Sequence, residues 1–251
     1  MATRQPKVSP GHGDPAAARA SGSPPLRVAL FDLDHTLLPI DSDHAWGVFT
    51  TRLGWTDPVL FGRRNDAFYA QYQAGTLDIH AYVRFATEAL RAQGEARSAA
   101  AHREFMDQVI RPAIRAEALD LVRAHQRAGD QVAIITATNE FVTRPIASAF
   151  GVDDLMAVEL ERDTRPGSSG WYTGAIAGVP STREGKVLRF GQWLQRRNLR
   201  RDEVHVCFYS DSINDLPLLE RADEPVATNP DDRLRQTALE RGWRILDLFP
   251  K

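Results

Sequence analysis

Residues 27–36 read "RVALFDLDHT", an apolar run that ends in two aspartates one residue apart. The run is continuously apolar rather than alternating, which is typical of a strand buried on both faces of a parallel sheet. Side chains two apart in an extended chain point the same way, so Asp32 and Asp34 can converge on one site. Two close carboxylates in a dry pocket need a compensating charge. This stretch therefore predicts a charged site at the end of a buried strand.

Three later runs have the same continuous apolar character, namely "QVAIIT" at 131–136, "VHVCFYSD" at 204–211 and "EPVAT" at 224–228. Amphipathic helices are predicted ahead of two of them, over 119–129 and 186–198. This alternation of strand and helix predicts an α/β fold built on a doubly wound parallel sheet. In such a sheet, ligands bind at the carboxyl ends of the strands.

The first two strands are separated by about a hundred residues, too many for an ordinary crossover connection. Helical periodicity in this segment predicts an inserted helical domain at 38–115, between core segments at 26–37 and 116–251. The stretch "DLMAVELERDTRPGSSGWYTGAIAG", at 154–178, predicts a small β-hairpin. The first 25 residues are rich in Pro, Gly, Ser and Ala, which predicts a disordered tail at 1–25.

Composition narrows the possible partners and the compartment. The formal net charge is -2, so no overall basic field attracts nucleic acid or an acidic membrane. No run approaches the ~18 apolar residues of a membrane-spanning helix. The single cysteine, Cys207, fits a reducing compartment. We expect a soluble cytoplasmic protein that acts on a small molecule, with no nucleic-acid or membrane partner and with its oligomeric state left open.

Polar side chains gather at the predicted strand ends, where one crevice can collect them. They are Asp32, Asp34, Thr136, Lys186, Asp211, Asn214 and Asp215. Mg²⁺ is a hard cation that binds carboxylate oxygens and commonly pairs with phosphate, while a lysine and a hydroxyl suit phosphate oxygens. Any one of these residues alone has a structural explanation as a turn, a helix cap or a solvated charge. Their combination and order predict a site for Mg²⁺ and phosphate.

Four short motifs carry a family resemblance. "FDLDHTLL", "IITATN", the pair Gly185 and Lys186, and "YSDSINDLP" resemble the four motifs of the haloacid dehalogenase superfamily of phosphohydrolases. The resemblance runs from about Arg27 to Phe249, and the helical insertion matches the cap of the phosphoserine phosphatase-like branch, subfamily IB.

The resemblance implies a phosphatase that works in two steps. Asp32 would attack phosphorus to form an aspartyl-phosphate, and Asp34 would protonate the leaving alcohol and later deprotonate the hydrolytic water. Mg²⁺ would be held by Asp32, the backbone carbonyl of Asp34 and Asp211, with Asp215 close by. The residues that would hold the transferred group are Thr136, Lys186 and Asn214.

Asp41 is the candidate substrate-binding residue. The resemblance places an acid nine residues after the nucleophile, where phosphoserine phosphatases receive the substrate ammonium, and Asp41 occupies that position. This implies an aminated phosphomonoester of amino-acid metabolism, such as histidinol phosphate or phosphoserine. Asp41 has an equally simple interpretation as the N-cap of a helix.

Ala137 and Thr138 stand where the family has two glycines, which narrows the space for phosphoserine. Candidates for binding a carboxylate, each also explained by an exposed helix face, are Arg63, Arg64 and Arg84.

Other classes of function remain open on the sequence. A phospholipid or protein phosphatase and a non-catalytic phospho-ligand-binding protein are alternatives on the same fold. A phospho-receiver domain also uses an aspartyl-phosphate and Mg²⁺, but it needs no insertion of about a hundred residues. Transfer of the phosphoryl group to an alcohol instead of water is a further alternative.

Overall fold

The computed structural model describes residues 24–249. Most of the predicted tail, 1–25, therefore lies outside the described residues. The strands are β1 (Leu26–Phe31), β2 (Gln131–Asn139), β3 (Asp154–Val158), β4 (Leu160–Arg162), β5 (Tyr172–Ile176), β6 (Val204–Ser210), β7 (Glu224–Thr228) and β8 (Arg244–Leu246). Six of them form one sheet in the order β3-β2-β1-β6-β7-β8, and every neighbouring pair is parallel. The predicted fold class is confirmed.

Helices cover both faces of this sheet and fill the segment between β1 and β2. They are α1 (Ser42–Arg52), α2 (Pro58–Ala74), α3 (Ile79–Ala86), α4 (Glu88–Gln93), α5 (Glu95–Phe105), α6 (Arg111–Ala113), α7 (Ala116–Arg127), α8 (Glu140–Ala149), α9 (Glu184–Arg196), α10 (Leu216–Leu219) and α11 (Asp232–Arg241). A π-helical turn, Met106–Ile110, joins α5 to α6. We call the segment from α1 to α6 the helical insertion. The predicted boundaries between core and cap stay a prediction.

Burial on both faces explains why the strands are continuously apolar. On β1, Phe31 packs in a cluster with Val122 of α7 and Ile146 of α8. Leu30, the preceding residue, points to the opposite face and packs with Phe190 of α9. Because successive side chains of a strand alternate between faces, an apolar residue is required at each position. The two helical layers thus fix β1 in the middle of the sheet, with its carboxyl end open to the site.

The hairpin is shorter than the sequence predicted. Residues 154–158 form β3 and pair in parallel with β2 in the central sheet, whereas the antiparallel hairpin consists of β4 and β5. The extent predicted from 154 is therefore wrong. Met156, Ala157 and Val158 are all buried, so this run has the continuous apolar character of a sheet strand, and the hairpin begins only after Glu159.

The helical insertion begins with strong local signals. Asp57 caps α2 by accepting from the N–H groups of Val59 and Leu60, and Pro58 follows at the first helical position. Gly75 ends α2 in the left-handed conformation, with φ of 72°. Asp78 caps α3 in the same way as Asp57 caps α2. These caps set the length and the start of the two helices that cover the open end of the sheet.

The base of the helical insertion shares the core of the sheet. Trp46 and Phe49 of α1 and Phe105 of α5 belong to the same buried cluster as Phe31. On the other side, Val83 of α3 packs with the residues that lead into the hairpin. Among the described residues, every helix is too short or too polar to cross a bilayer.

Candidate active site

The predicted site residues lie at the carboxyl ends of three adjacent central strands. Asp32 follows β1 directly, Thr136 lies in the last part of β2, and Asp211 follows β6. The chain enters the sheet at β1 and extends it on one side with β2 and on the other with β6. This change of direction opens a crevice at the strand ends.

Lys186 connects two of the carboxylates. It lies in the first turn of α9 and is only 2% exposed. Its Nζ lies 2.6 Å from Asp32 Oδ1 and 2.6 Å from Asp215 Oδ2. Burial by itself lowers the pKa of Lys186, but the carboxylates of Asp215 and Asp32 raise it above the ordinary value. The ammonium is therefore charged in the site at any physiological pH.

Gly185 brings Lys186 into position by close backbone approach. A Cβ atom at Gly185 would lie 2.0 Å from the carbonyl oxygen of Pro180. That distance is far below van der Waals contact, so only glycine lets α9 begin at this place. In the predicted pair, Gly185 permits the close approach to Pro180, and Lys186 then lies where its ammonium reaches Asp32 and Asp215.

Thr36 joins the aspartates of two different strands. Its Oγ1 lies 3.3 Å from Asp32 Oδ2 and 3.1 Å from Asp211 Oδ1, and it accepts from the backbone N–H of Asp211 at 3.0 Å. Burial raises the pKa of Asp32, an effect that Lys186 opposes. Burial, followed by the charges of Asp32 and Asp215, raises the pKa of Asp211 well above its ordinary value. The three acids therefore repel one another in a dry site.

This set of donors fits Mg²⁺. Asp32, Asp211 and Asp215 are three carboxylates with only oxygen donors, and Lys186 can neutralise no more than one of their charges. A hard divalent cation is the usual remedy for such an excess. Among the described residues, no three Asp, Glu, His or Cys side chains already form a set that could hold a metal ion. Two carboxylates completed by a backbone carbonyl and water remain a suitable set, because Mg²⁺ retains several waters.

Asp34 lies beside the nucleophile candidate in a different environment. Its Oδ1 accepts from the N–H of Ser42 at 2.8 Å and its Oδ2 accepts from Thr138 Oγ1 at 2.8 Å. Burial, followed by the charge of Asp41, raises the pKa of Asp34 to about 8. The carboxyl group is thus largely protonated at neutral pH, which is the state that a general acid requires.

Of the predicted phosphate-binding residues, Thr136 lies at the crevice and Asn214 faces the helical insertion. The Thr136 side chain lines the pocket and accepts from the N–H of Thr138 at 3.1 Å. Asn214 Nδ2 donates to the carbonyl of Tyr72, at 3.1 Å. Beside it, Arg183 donates to the carbonyl of Gly75, at 2.5 Å. Asn214 therefore holds the end of α2, and within the described residues it is not part of the lining of the pocket that Asp32, Asp34 and Thr136 share.

A pocket lies between the strand ends and the helical insertion. It has a cavity volume of about 70 Å³ and reaches from Asp32 and Asp34 to the inner face of α2 and α3. Four aromatic side chains form its outer wall, namely Phe68, Tyr69, Tyr72 and Tyr82. The aromatic residues of the insertion have two kinds of place, since Phe68 and Tyr72 line the pocket while Trp46 is buried in the core cluster.

Asp41 is both a helix cap and a pocket residue, the two alternatives that the sequence left open. Its Oδ1 caps α1 by accepting from the N–H of His44 at 2.8 Å, and the residue also lines the pocket. The second oxygen of the carboxylate stays available for a ligand. Arg63, Arg64 and Arg84 are absent from the pocket lining among the described residues, and Arg64 pairs with Glu88 instead.

Three residues of the site were missed by the sequence reasoning. Thr36 and Thr138 position carboxylates, and Asp43 is a buried acid of the pocket, only 7% exposed. Thr36 and Thr138 stand in or next to the quoted motifs, yet their partners lie 175 and 104 residues away along the chain. Asp43 had a local signal, as the second acid of "DSD", but an acid in the first turn of a helix is common for dipolar reasons alone.

The fold and the site together define a hydrolase of the haloacid dehalogenase-like class. Residues 29–220 match the model of the family described as haloacid dehalogenase-like hydrolase. Since this match covers more than half of the chain, the chain belongs to that family.

Individual relatives make the class narrower. A histidinol-phosphatase of Neisseria meningitidis is 42% identical over 221 residues, which are 88% of this chain and 98% of the relative. A phosphoserine phosphatase of Mycobacterium tuberculosis is 31% identical over 260 residues, covering 96% of this chain and 80% of the relative. A solved structure from Bordetella pertussis, of a protein of unknown function, is 48% identical, covers 90% of this chain and 100% of that one, and has a TM-score of 0.83. The chain is a phosphatase.

Proposed function

We propose that this phosphatase hydrolyses a small aminated phosphomonoester with the help of Mg²⁺, through an aspartyl-phosphate on Asp32. Asp32 Oδ1 lies 2.6 Å from Lys186 Nζ, and the ammonium lowers the repulsion between an anionic nucleophile and an anionic phosphate. Attack forms a bond from the Asp32 carboxylate to phosphorus and breaks the bond to the alcohol oxygen. Water then cleaves the acyl phosphate and restores Asp32.

Asp34 would move the proton in both steps. Because its pKa is raised to about 8, it carries a proton that it can give to the leaving oxygen. After that transfer it is a carboxylate and can take a proton from the attacking water. The bonds from Ser42 and Thr138 hold the carboxyl group in one orientation throughout.

The residues proposed to hold Mg²⁺ are Asp32, Asp211 and the backbone carbonyl of Asp34, with Asp215 beside them. The bound cation would offset the negative charge of the phosphoryl group and the carboxylates. Thr136 and Lys186 would hold the oxygens of the phosphoryl group. Asn214 is the third residue proposed to contact the phosphoryl group, and its bond to Tyr72 would hold the end of α2 over the pocket.

The charge of the pocket lining is the observation that carries the substrate class. Asp41 and Asp43 both line the pocket, whereas no Lys or Arg of the described residues does. Two acids suit a cationic leaving alcohol, and the lack of a basic partner disfavours a substrate carboxylate. Histidinol phosphate has amino and imidazole groups and no carboxylate, so it fits better than phosphoserine. The name of the Neisseria relative supports the same choice.

Two other classes of substrate, phosphoproteins and phospholipids, fit the pocket less well. The helical insertion covers the strand ends with α2 and α3, which leaves little room for a phosphoprotein or a phospholipid surface. A small metabolite of amino-acid metabolism is therefore the proposed substrate. A cytoplasmic location is part of the same proposal.

A metabolite panel tests the function directly. Purified protein with Mg²⁺ should release phosphate from histidinol phosphate faster than from phosphoserine, glycerol phosphate or a phosphopeptide. The Asp32→Asn variant should lose turnover of every substrate, because an amide is a poor nucleophile. Release from none of the substrates, or full activity of the variant, would reject the proposal.

A further inference from the structure

Asp43 is a buried acid of the pocket that takes no part in the proposed chemical steps and has not yet been given a particular ligand group. Its Oδ2 accepts from the hydroxyl of Tyr82 at 2.8 Å, and its Oδ1 accepts from Asn139 Nδ2 at 3.2 Å. Both partners are neutral, and no Lys or Arg in the described part of the chain pairs with Asp43. A carboxylate has about four acceptor positions, so each oxygen retains one. A buried acid with neutral partners and free acceptor positions is suited to a cationic ligand.

Three carboxyl groups outside the proposed metal-binding carboxylates line the same pocket, those of Asp34, Asp41 and Asp43. Ser42, which separates the last two, donates its N–H to Asp34 at 2.8 Å, so the start of α1 lies against the proposed general acid. The charge of Asp41 contributes to the raised pKa of Asp43, so these two carboxyl groups lie close enough to interact. The pocket therefore offers two acids, Asp41 and Asp43, besides the proposed general acid Asp34.

The surroundings of Asp43 are aromatic. The ring of Tyr82 lies edge-on to that of Phe68, with ring centroids 5.4 Å apart. Both rings line the pocket, as does Tyr69. Walls of this kind favour a flat ligand ring over an aliphatic chain, because rings pack well edge to face and offset. A ring that also carries N–H groups or positive charge would satisfy Asp43 at the same time.

We propose that Asp43 forms a second recognition subsite, which receives the N–H of a flat nitrogen-containing ring while Asp41 receives the amine of the same leaving alcohol. The substrate class is then the phosphate ester of an amino alcohol with an imidazole-like ring on the far side of the amine. This proposal rests on the proposed function and deepens it. It assigns one acid to each polar group of the alcohol.

Calorimetric binding of the product alcohols tests this subsite without any turnover. Histidinol carries both groups, alaninol carries the amine without the ring, and 3-(imidazol-4-yl)propan-1-ol carries the ring without the amine. Wild-type protein should bind histidinol at least tenfold more tightly than alaninol. In Asp43→Asn, the Kd of histidinol should rise at least tenfold and that of alaninol should change by less than twofold. In Asp41→Asn, the Kd values of both amine-bearing alcohols, histidinol and alaninol, should rise, while that of 3-(imidazol-4-yl)propan-1-ol should change by less than twofold.

Controls separate recognition from folding. Asp66→Asn removes an exposed acid of α2 and should leave all three Kd values unchanged. The far-ultraviolet circular dichroism spectrum of Asp43→Asn should match that of wild type, which shows that the variant is folded. If Asp43→Asn fails to fold, Tyr82→Phe frees one oxygen of Asp43 while keeping its charge, and it should change histidinol binding more than alaninol binding.

The outcomes are distinguishable from a failure of the proposed function. Equal losses for histidinol and alaninol, or no loss for either, would overturn the subsite. Wild-type binding of histidinol no tighter than that of alaninol would overturn it as well. If histidinol phosphate is not hydrolysed but the ring-dependent loss is observed, the proposed substrate is wrong and the subsite stands.

Discussion

The two aspartates of the first motif have different environments, and the difference predicts different effects of substitution. Asp34 holds a proton because burial and Asp41 raise its pKa to about 8. Asp34→Asn cannot donate that proton, so hydrolysis of alkyl phosphates should fall by about 10²–10⁴-fold. The loss should be much smaller for p-nitrophenyl phosphate, whose leaving group needs no proton. Steady-state kcat/KM for both esters measures this, and equal losses would contradict the role of Asp34.

Thr138→Ser is the matched control for Asp34. It retains the hydroxyl that donates to Asp34 Oδ2 and should keep the ratio of the two activities. In wild type, hydrolysis of alkyl phosphates should decline as the pH rises through about 8, because the acid then loses its proton.

Asp43 links stability to pH. Burial, followed by the charge of Asp41, raises its pKa from 3.8 to about 7. Between these two values the folded chain holds a proton that the unfolded chain has lost, so the contribution of Asp43 to stability is complete below the lower value and is lost as the pH rises through the upper one. Tyr82, Asn139 and Asp41 are the polar and charged groups that act on this carboxyl group, and they remain in the variant used to test this.

The thermal stability of Asp43→Asn relative to wild type should therefore change with pH. The variant carries no titratable group at this position. The melting temperature of the variant minus that of wild type should therefore increase from about pH 4 to pH 7 and stay constant above pH 7. A gain of several degrees is expected for a domain of this size. Melting curves of both proteins at matched pH measure it, and a difference independent of pH would contradict the raised pKa.

A site residue can be predicted from the sequence where its residue type and its place at a strand end or in a motif are enough to indicate its role. Asp32 and Asp34 are predicted because carboxylates are unusual at the end of a buried strand, and Lys186 because it follows Gly185 in one of the four family motifs. Thr36 and Thr138 were missed because a hydroxyl has many local partners, and its actual partner depends on how the strands are ordered. Asp43 was missed for a related reason, since its burial comes from α3, which lies far along the chain.

At the scale of elements, the start of α9 depends on a single missing methyl group. In Gly185→Ala the added Cβ would lie 2.0 Å from the Pro180 carbonyl, so α9 must shift and carry Lys186 with it. We expect a loss of about 1–3 kcal/mol in the free energy of unfolding and a fall in kcat of at least about tenfold. Denaturant unfolding and phosphate release measure the two effects.

Gly191→Ala is the control on the same helix. A Cβ at Gly191 meets no atom within 4 Å, and alanine is the better helix former by about 1 kcal/mol. This variant should be at least as stable as wild type and fully active. Loss of activity in both variants would show that α9 tolerates no change, rather than that Gly185 is required for close approach.

Elements were predicted well where local pattern decides them. The run "EPVAT" is β7 residue for residue, at Glu224–Thr228. The hairpin was predicted from 154 because its two halves looked like a pair flanking a glycine-rich turn. The first half instead joins the edge of the sheet, a choice made by β2, which offers a parallel partner. Which strand a segment pairs with depends on the topology of the whole sheet, so it cannot be deduced from the sequence of that segment alone.

For the whole molecule, the charge of the buried site predicts coupling between Mg²⁺ and folding. Asp32, Asp211 and Asp215 share one ammonium, so a divalent cation should bind the folded chain and stabilise it by mass action. A chelator should abolish phosphate release, and added Mg²⁺ should restore it. Mg²⁺ should also raise the melting temperature of wild type by several degrees and that of Asp211→Asn by much less. Equal shifts in both proteins would show that the cation binds elsewhere.

The way in which α2 is attached to the core affects the turnover number of the enzyme. In the described part of the chain, Asn65 is the one fully buried residue of α2, while Val59 and Leu60 are largely exposed. The end of the helix is held by two hydrogen bonds, from Asn214 and Arg183, onto its last carbonyl groups. Two hydrogen bonds are broken at small cost, whereas the base of the insertion is fixed in the core. Departure of the product alcohol then depends on how often α2 lifts, so the turnover number should fall as the viscosity of the solvent rises.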